Sequence, residues 1–209
     1  MKICIYSGKG GDGKTPIATN IALDRDYAIG TNEHFHIFDG FIPDDRLLAL
    51  KANEAFPEIP EDIDIVFDLA GSITENSKSI VSALQQADLV IVPISNEVKA
   101  LVAGIGTLRE IQKFKKNMLV IATKLEKNRK ETFTDDWTKS QEFINVKNQV
   151  FHHIGELPIL PLKQSKVFNT IFEQEKSIRQ IMAADPLARY SYRDVAKQFD
   201  DIYNFIDGV

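Results

Sequence analysis

Residues 8–15 read Gly-Lys-Gly-Gly-Asp-Gly-Lys-Thr, placing four glycines and two lysines within eight positions. Glycines let a chain turn tightly and aim successive backbone N–H groups at one anion. A lysine beside them adds the charge that a phosphate needs. Gly8, Gly13, Lys14 and Thr15 match G-x-x-x-x-G-K-[ST], in which the lysine reaches β- and γ-phosphates and the hydroxyl holds magnesium. The chemistry implied is nucleoside triphosphate binding. It requires a carboxylate facing the metal from a neighbouring strand end, and Asp68, closing the apolar run IVFD, is the candidate.

Such a loop works only between a strand and a helix. Ile3 to Tyr6 form a compact apolar run, and from Thr15 the residues Ile17, Ala18, Ile21 and Ala22 recur with a helical period. Further strands are expected at 34–39, 63–71, 88–94, 117–123 and 157–162. Helices are expected at 44–52, 75–86, 98–114, 134–151 (with Thr134 as N-cap) and 191–206. Alternating strands and helices with nearly continuous apolar strands predict an α/β fold: a mostly parallel sheet flanked by helices on both faces. The ligand then belongs at the carboxyl ends of the strands. The length of 209 residues suits one domain over 1–209.

With 44% hydrophobic and 26% charged residues the composition is that of a globular protein with a real core. The longest apolar run, LVIVPI at 89–94, is too short for a bilayer span. Glycines and charges directly after the first strand argue against a signal peptide. One cysteine, Cys4, offers neither a disulfide nor a zinc framework, and a cytoplasmic location is expected. His34 with His36, and His152 with His153, lack metal-ligand partners at suitable spacing and read as structural or surface residues. The net charge of −5 is uneven: residues 1–111 carry 9 basic and 17 acidic side chains, residues 112–209 carry 16 and 13. Contacts with nucleic acid phosphates are therefore expected from the second half. The aromatic stripe of the last helix reads as core.

Lys9 lies outside the phosphate-loop pattern. The stretch K-G-G-x-G-K-[ST] resembles the deviant Walker A motif of the ParA/MinD family of partition and cell-division ATPases. That resemblance implies a P-loop NTPase fold of the deviant Walker A type, ATP/ADP and Mg2+ as cofactors, and a homodimer formed on ATP binding. Lys9 would then contact the phosphates held by the partner subunit. Gly10, Gly11, Asp12, Gly13, Lys14, Thr15 and Pro16 would cradle the nucleotide, although Pro16 has no N–H to offer the α-phosphate. Asp68 would be the Walker B acid beside Thr15 at the metal, with Gly71 near the γ-phosphate. Thr123, Lys124, Leu157 and Pro158 would surround the base.

The resemblance also implies D-x-D after the second strand, its second acid aligning the attacking water. Asp39-Gly40-Phe41 stands there, so Asp39 matches the first acid and Phe41 takes the place of the second. Either Asp44 or Asp45 substitutes from the next turn, or hydrolysis is very slow. As helix first-turn acids, those two residues also have a purely structural reading.

The function implied is a slow partition ATPase of the ParA type, nucleoid-associated in the cytoplasm, with non-specific DNA binding and a separate centromere-binding adaptor. Candidate DNA contacts are Lys124, Lys127, Arg129 and Lys130, and later Lys163, Lys166, Arg179, Arg189, Arg193 and Lys197. Neither operator binding through a basic N-terminal extension nor membrane anchoring through the C-terminal YNFIDGV is expected. Two alternatives stand: a nucleotide-gated scaffold with little hydrolysis, and an ATP-dependent metabolic synthase of the same P-loop group.

Overall fold

A computed structural model describes residues 1–51, 53–70, 77–114, 116–133 and 135–209. Gly71 and Thr134 lie outside the described residues. The strands are β1 (Lys2–Tyr6), β2 (Ala28–Thr31), β3 (Leu47–Ala49), β4 (Ile65–Leu69), β5 (Leu89–Ser95), β6 (Asn117–Leu125) and β7 (Ile159–Lys163). They form one sheet in the order β3-β2-β4-β1-β5-β6-β7. Every neighbouring pair is parallel.

The helices are α1 (Lys14–Arg25), α2 (Lys78–Gln86), α3 (Val98–Gln112), α4 (Gln141–His153), α5 (Val167–Gln174), α6 (Ile178–Ala184) and α7 (Pro186–Asp207). Side-chain alternation divides them between the two faces. Ile3 and Ile5 of β1 join one buried cluster with α1, α5, α6 and α7. Cys4 and Tyr6 join the other, with α2, α3 and α4. Both faces are covered, as an all-parallel sheet requires. The expected α/β fold class is the one found.

Two expected elements are corrected. The strand beside β4 is 28–31, whereas residues 34–39 form a loop. Gly30 shows why: a Cβ there would sit 2.6 Å from the Phe67 ring and 3.1 Å from Phe56. Only glycine lets β2 pair with β4 under those rings. The alternation in His34–Asp39 serves instead to bury Phe38 while leaving Phe35 exposed. The expected helix over 44–52 is a single 3₁₀ turn (Asp44–Arg46) followed by the edge strand β3. Leu47 and Leu48 have good helix propensity, but pairing with β2 decides their conformation.

Prolines fall where a missing N–H is tolerated. Pro161 is in edge strand β7, and Pro93 of β5 lies beyond Ile91, where registered pairing with β1 stops. Ser140, whose hydroxyl accepts the Phe143 N–H at 3.1 Å, caps α4. Among the described residues no helix is long and apolar enough to cross a membrane.

Candidate functional site

The turn from β1 to α1 carries Gly11 and Gly13 at φ 84° and 90°, backbone conformations closed to most side chains. Gly13 caps α1 with no side-chain bond, so the first amides of α1 face outward for an anion. The loop is held from three sides. The Gly8 N–H donates to Thr107 Oγ1 on α3 at 3.0 Å, and Thr123 Oγ1 on β6 donates to the Asp12 carbonyl at 3.0 Å. The Asp12 carboxylate is fully buried and accepts from the Ser7 and Ser95 hydroxyls at 3.2 and 3.4 Å.

A cavity of about 610 Å³ opens along this loop, bordered by Gly10, Gly11, Gly13, Lys14, Thr15 and Pro16. Its other walls are Thr123 and Lys124 at the end of β6, Leu162, Gln164 and Ser165 around the end of β7, and Phe168 and Asn169 on α5. Lys14 is nearly buried, its Nζ donating to the Lys9 carbonyl at 3.1 Å. Lys9 points elsewhere: its Nζ lies 3.0 Å from Glu97 Oε2 and 3.5 Å from Asp12 Oδ1. Lys124 adopts φ 55° where the β6–β7 register shifts, a strained backbone at the cavity wall.

Asp68 sits on β4, in register with Ile5 of β1 and Thr31 of β2. It is 1% exposed, and neither carboxylate oxygen has a regular hydrogen-bond partner. Burial pushes its carboxyl up from 3.8 to about 6; the nearby Thr15 hydroxyl and Lys14 ammonium oppose this, and the charge of Glu33 adds to it. An orphaned buried carboxylate beside a threonine hydroxyl and a phosphate loop fits a magnesium ion, which takes few protein ligands and completes its shell with phosphate and water. Among the described residues no group of three or more His, Cys, Asp or Glu side chains forms a self-sufficient metal cage.

Glu33 is the residue sequence reasoning missed. It lies two positions past β2 and lines the cavity. The structure does not bring Asp39, Phe41, Asp44 or Asp45 there. Asp39 is exposed in a turn 3.7 Å from His36 Nδ1, Phe41 packs 6.0 Å from the Phe38 ring, and Asp44 and Asp45 are exposed on the 3₁₀ turn. The reason is the displaced strand: once β2 ends at Thr31, the residues that follow it are Asn32 and Glu33. Leu157 and Pro158 precede β7, at the opposite end of the sheet from the cavity. The signal for Phe168 and Asn169 would have been the helical spacing of Val167 and Ile171 directly after an apolar strand.

No protein-family model and no curated protein matches the chain. Solved structures do. Apo McdA from Cyanothece superposes with TM-score 0.71 at 15% identity, covering 97% of this chain and 98% of that one. The septum site-determining protein MinD of Pyrococcus horikoshii, complexed with Mg-ADP, gives 0.58 at 13% identity, with 97% of each chain covered. A ParA family ATPase from Chlorobium tepidum gives 0.54 at 16% identity, covering 95% and 97%. The fold is that of the ParA/MinD ATPases. In this ParA/MinD fold the glycine loop, Lys9 and Lys14 stand at the carboxyl edge of the central strand β1, with Asp68 on the adjacent strand.

Proposed function

We propose that the chain is a partition-type ATPase that binds Mg-ATP in the cavity beside β1 and dimerises around it. The observation carrying this is the convergence of Lys14, Thr15 and the buried carboxylate of Asp68 at the start of α1. Lys14 and the loop amides would hold the phosphates, and Thr15 with Asp68 would hold magnesium, which when bound neutralises phosphate charge. Pro16, Thr123 and Lys124, with Phe168 and Asn169, would form the base end. Glu33, half-buried and facing the cavity, would align the attacking water in place of Asp39 or Asp44.

Lys9 supports a role outside its own cavity, because its ammonium is bracketed by Glu97 and Asp12 and is not among the groups lining the cavity. In the dimer it would reach the partner's phosphates. The test is light scattering with Mg-ATP: wild type should dimerise, and Lys9→Ala should bind ATP yet remain monomeric. A Lys9→Ala variant that dimerises like wild type would remove the trans role.

Ion pairing favours one of the two basic groups for duplex DNA. On the α7 side Arg179 pairs with Asp200, Arg193 and Lys163 with Asp194, and Lys197 with Asp135. In the loop after β6, Glu131 is engaged by the Asn128 and Gln141 N–H groups at 2.5 and 2.6 Å. Arg129 and Lys130 are exposed in that loop, and we assign them the DNA contact. A partition role through a separate adaptor completes the reading and rests on the fold shared with the ParA family ATPase.

A further inference from the structure

Two buried polar residues precede Glu33. Thr31 is fully buried; its Oγ1 accepts the Glu33 N–H at 3.2 Å and its carbonyl accepts the Leu50 N–H at 2.8 Å. Asn32 is 7% exposed and spends its whole side chain on the protein. Its Oδ1 accepts the Ala70 N–H at 2.8 Å, and its Nδ2 donates to the Ala70 carbonyl at 3.1 Å and to Ser79 Oγ at 3.0 Å.

The backbone register of β2 with β4 ends at the pair Thr31–Asp68. The Asn32 amide carries the pairing onward, mimicking a peptide group against Ala70, two residues beyond Asp68. Its second N–H reaches the first turn of α2. One side chain thus ties together the end of the strand bearing Glu33, the end of the strand bearing Asp68, and the helix that follows. An aspartate would keep the size but lose both donated bonds, and an alanine would leave the Ala70 groups unpaired in a buried setting.

We infer that Asn32 is a positioning residue for hydrolysis, fixing the Glu33 carboxylate relative to the Asp68 metal position. The inference rests on the proposed reading of Glu33 as the water-aligning acid. Asn32 is not among the residues that border the cavity, so its effect falls on the chemical step and not on nucleotide affinity.

The test is a double-mutant cycle in single-turnover ATP hydrolysis, with ATP affinity and thermal unfolding measured on each variant. Asn32→Ala is expected to lower the rate constant about tenfold or more while ATP affinity stays within about twofold, by analogy with other small misplacements of catalytic groups. In the Glu33→Gln background the same change should cause no further loss, because the group it positions is already gone. Asn32→Asp keeps the volume and serves where the alanine variant unfolds; it should show the same pattern. An equal fold-loss in both backgrounds would make Asn32 merely structural and overturn the inference, as would an Asn32→Ala or Asn32→Asp rate equal to wild type. A Glu33→Gln protein that hydrolyses like wild type, or a wild type that binds ATP without turnover, would instead remove the acid role beneath it.

Discussion

Asp68→Asn is expected to make the metal-free protein more stable at high pH while disabling the site. In the folded chain the Asp68 carboxyl titrates near 6, against an ordinary 3.8, chiefly because it is buried. A raised carboxyl pKa favours the folded state fully below about pH 4, and that advantage is lost as pH rises through about 6. The shift of about two pH units, at roughly 1.4 kcal/mol each, sets the full penalty above pH 7 at about 3 kcal/mol. Roughly half is already incurred at pH 5, because the unfolded carboxyl has ionised by then.

Asparagine does not ionise, so the variant escapes this dependence, although its buried amide has a desolvation cost of about 1–3 kcal/mol of its own. The diagnostic is therefore the change with pH. Urea unfolding in EDTA should show the variant gaining on wild type by about 1–1.5 kcal/mol between pH 5 and pH 8. With Mg-ATP present the order should reverse, since binding stabilises only the protein that holds the metal. A stability difference flat between pH 5 and pH 8 would refute the buried-charge account of Asp68.

Glu33→Gln should preserve ATP binding and slow single-turnover hydrolysis by at least tenfold, whereas Asp39→Asn and Asp44→Asn should leave the rate unchanged; quenched-flow phosphate release checks all three. For DNA, Arg129→Glu should weaken duplex binding and lower its salt slope, and the already paired Arg193 should tolerate reversal to Glu with a smaller loss, measured by fluorescence anisotropy over a salt series.

Much of this was legible because the motif and the apolar runs coincide. The glycine loop between Ile3–Tyr6 and the Ile17–Ala22 stripe marks β1 and α1, and the runs at 63–71, 88–94 and 117–123 overlap β4, β5 and β6. The edge of the sheet was not legible. β2 is four residues with a glycine that exists for the rings of Phe67 and Phe56, which no local pattern reveals. The better alternation at 34–39 drew the strand onto a loop, and with it the expected D-x-D position onto Asp39-Gly40-Phe41. Glu33 and Asn32 follow the shorter β2, and Asn32 is placed by hydrogen bonds to Ala70, 38 residues away. Leu157 and Pro158 flank β7 at the end away from the cavity, and Phe168 and Asn169 of α5 form part of the cavity wall.

The central claim, that the β1–α1 loop holds a nucleoside triphosphate, is tested most directly by calorimetric titration of Mg-ATP into wild type and Lys14→Ala. Lys14 is the phosphate-loop lysine that lines the cavity, and its removal takes away the ammonium proposed to meet the terminal phosphates. Wild type should bind at one site per chain, and Lys14→Ala, folded by its circular dichroism and melting curve, should show no measurable heat. Equal affinity in the two proteins, or no binding by wild type in the presence of magnesium, would contradict the account.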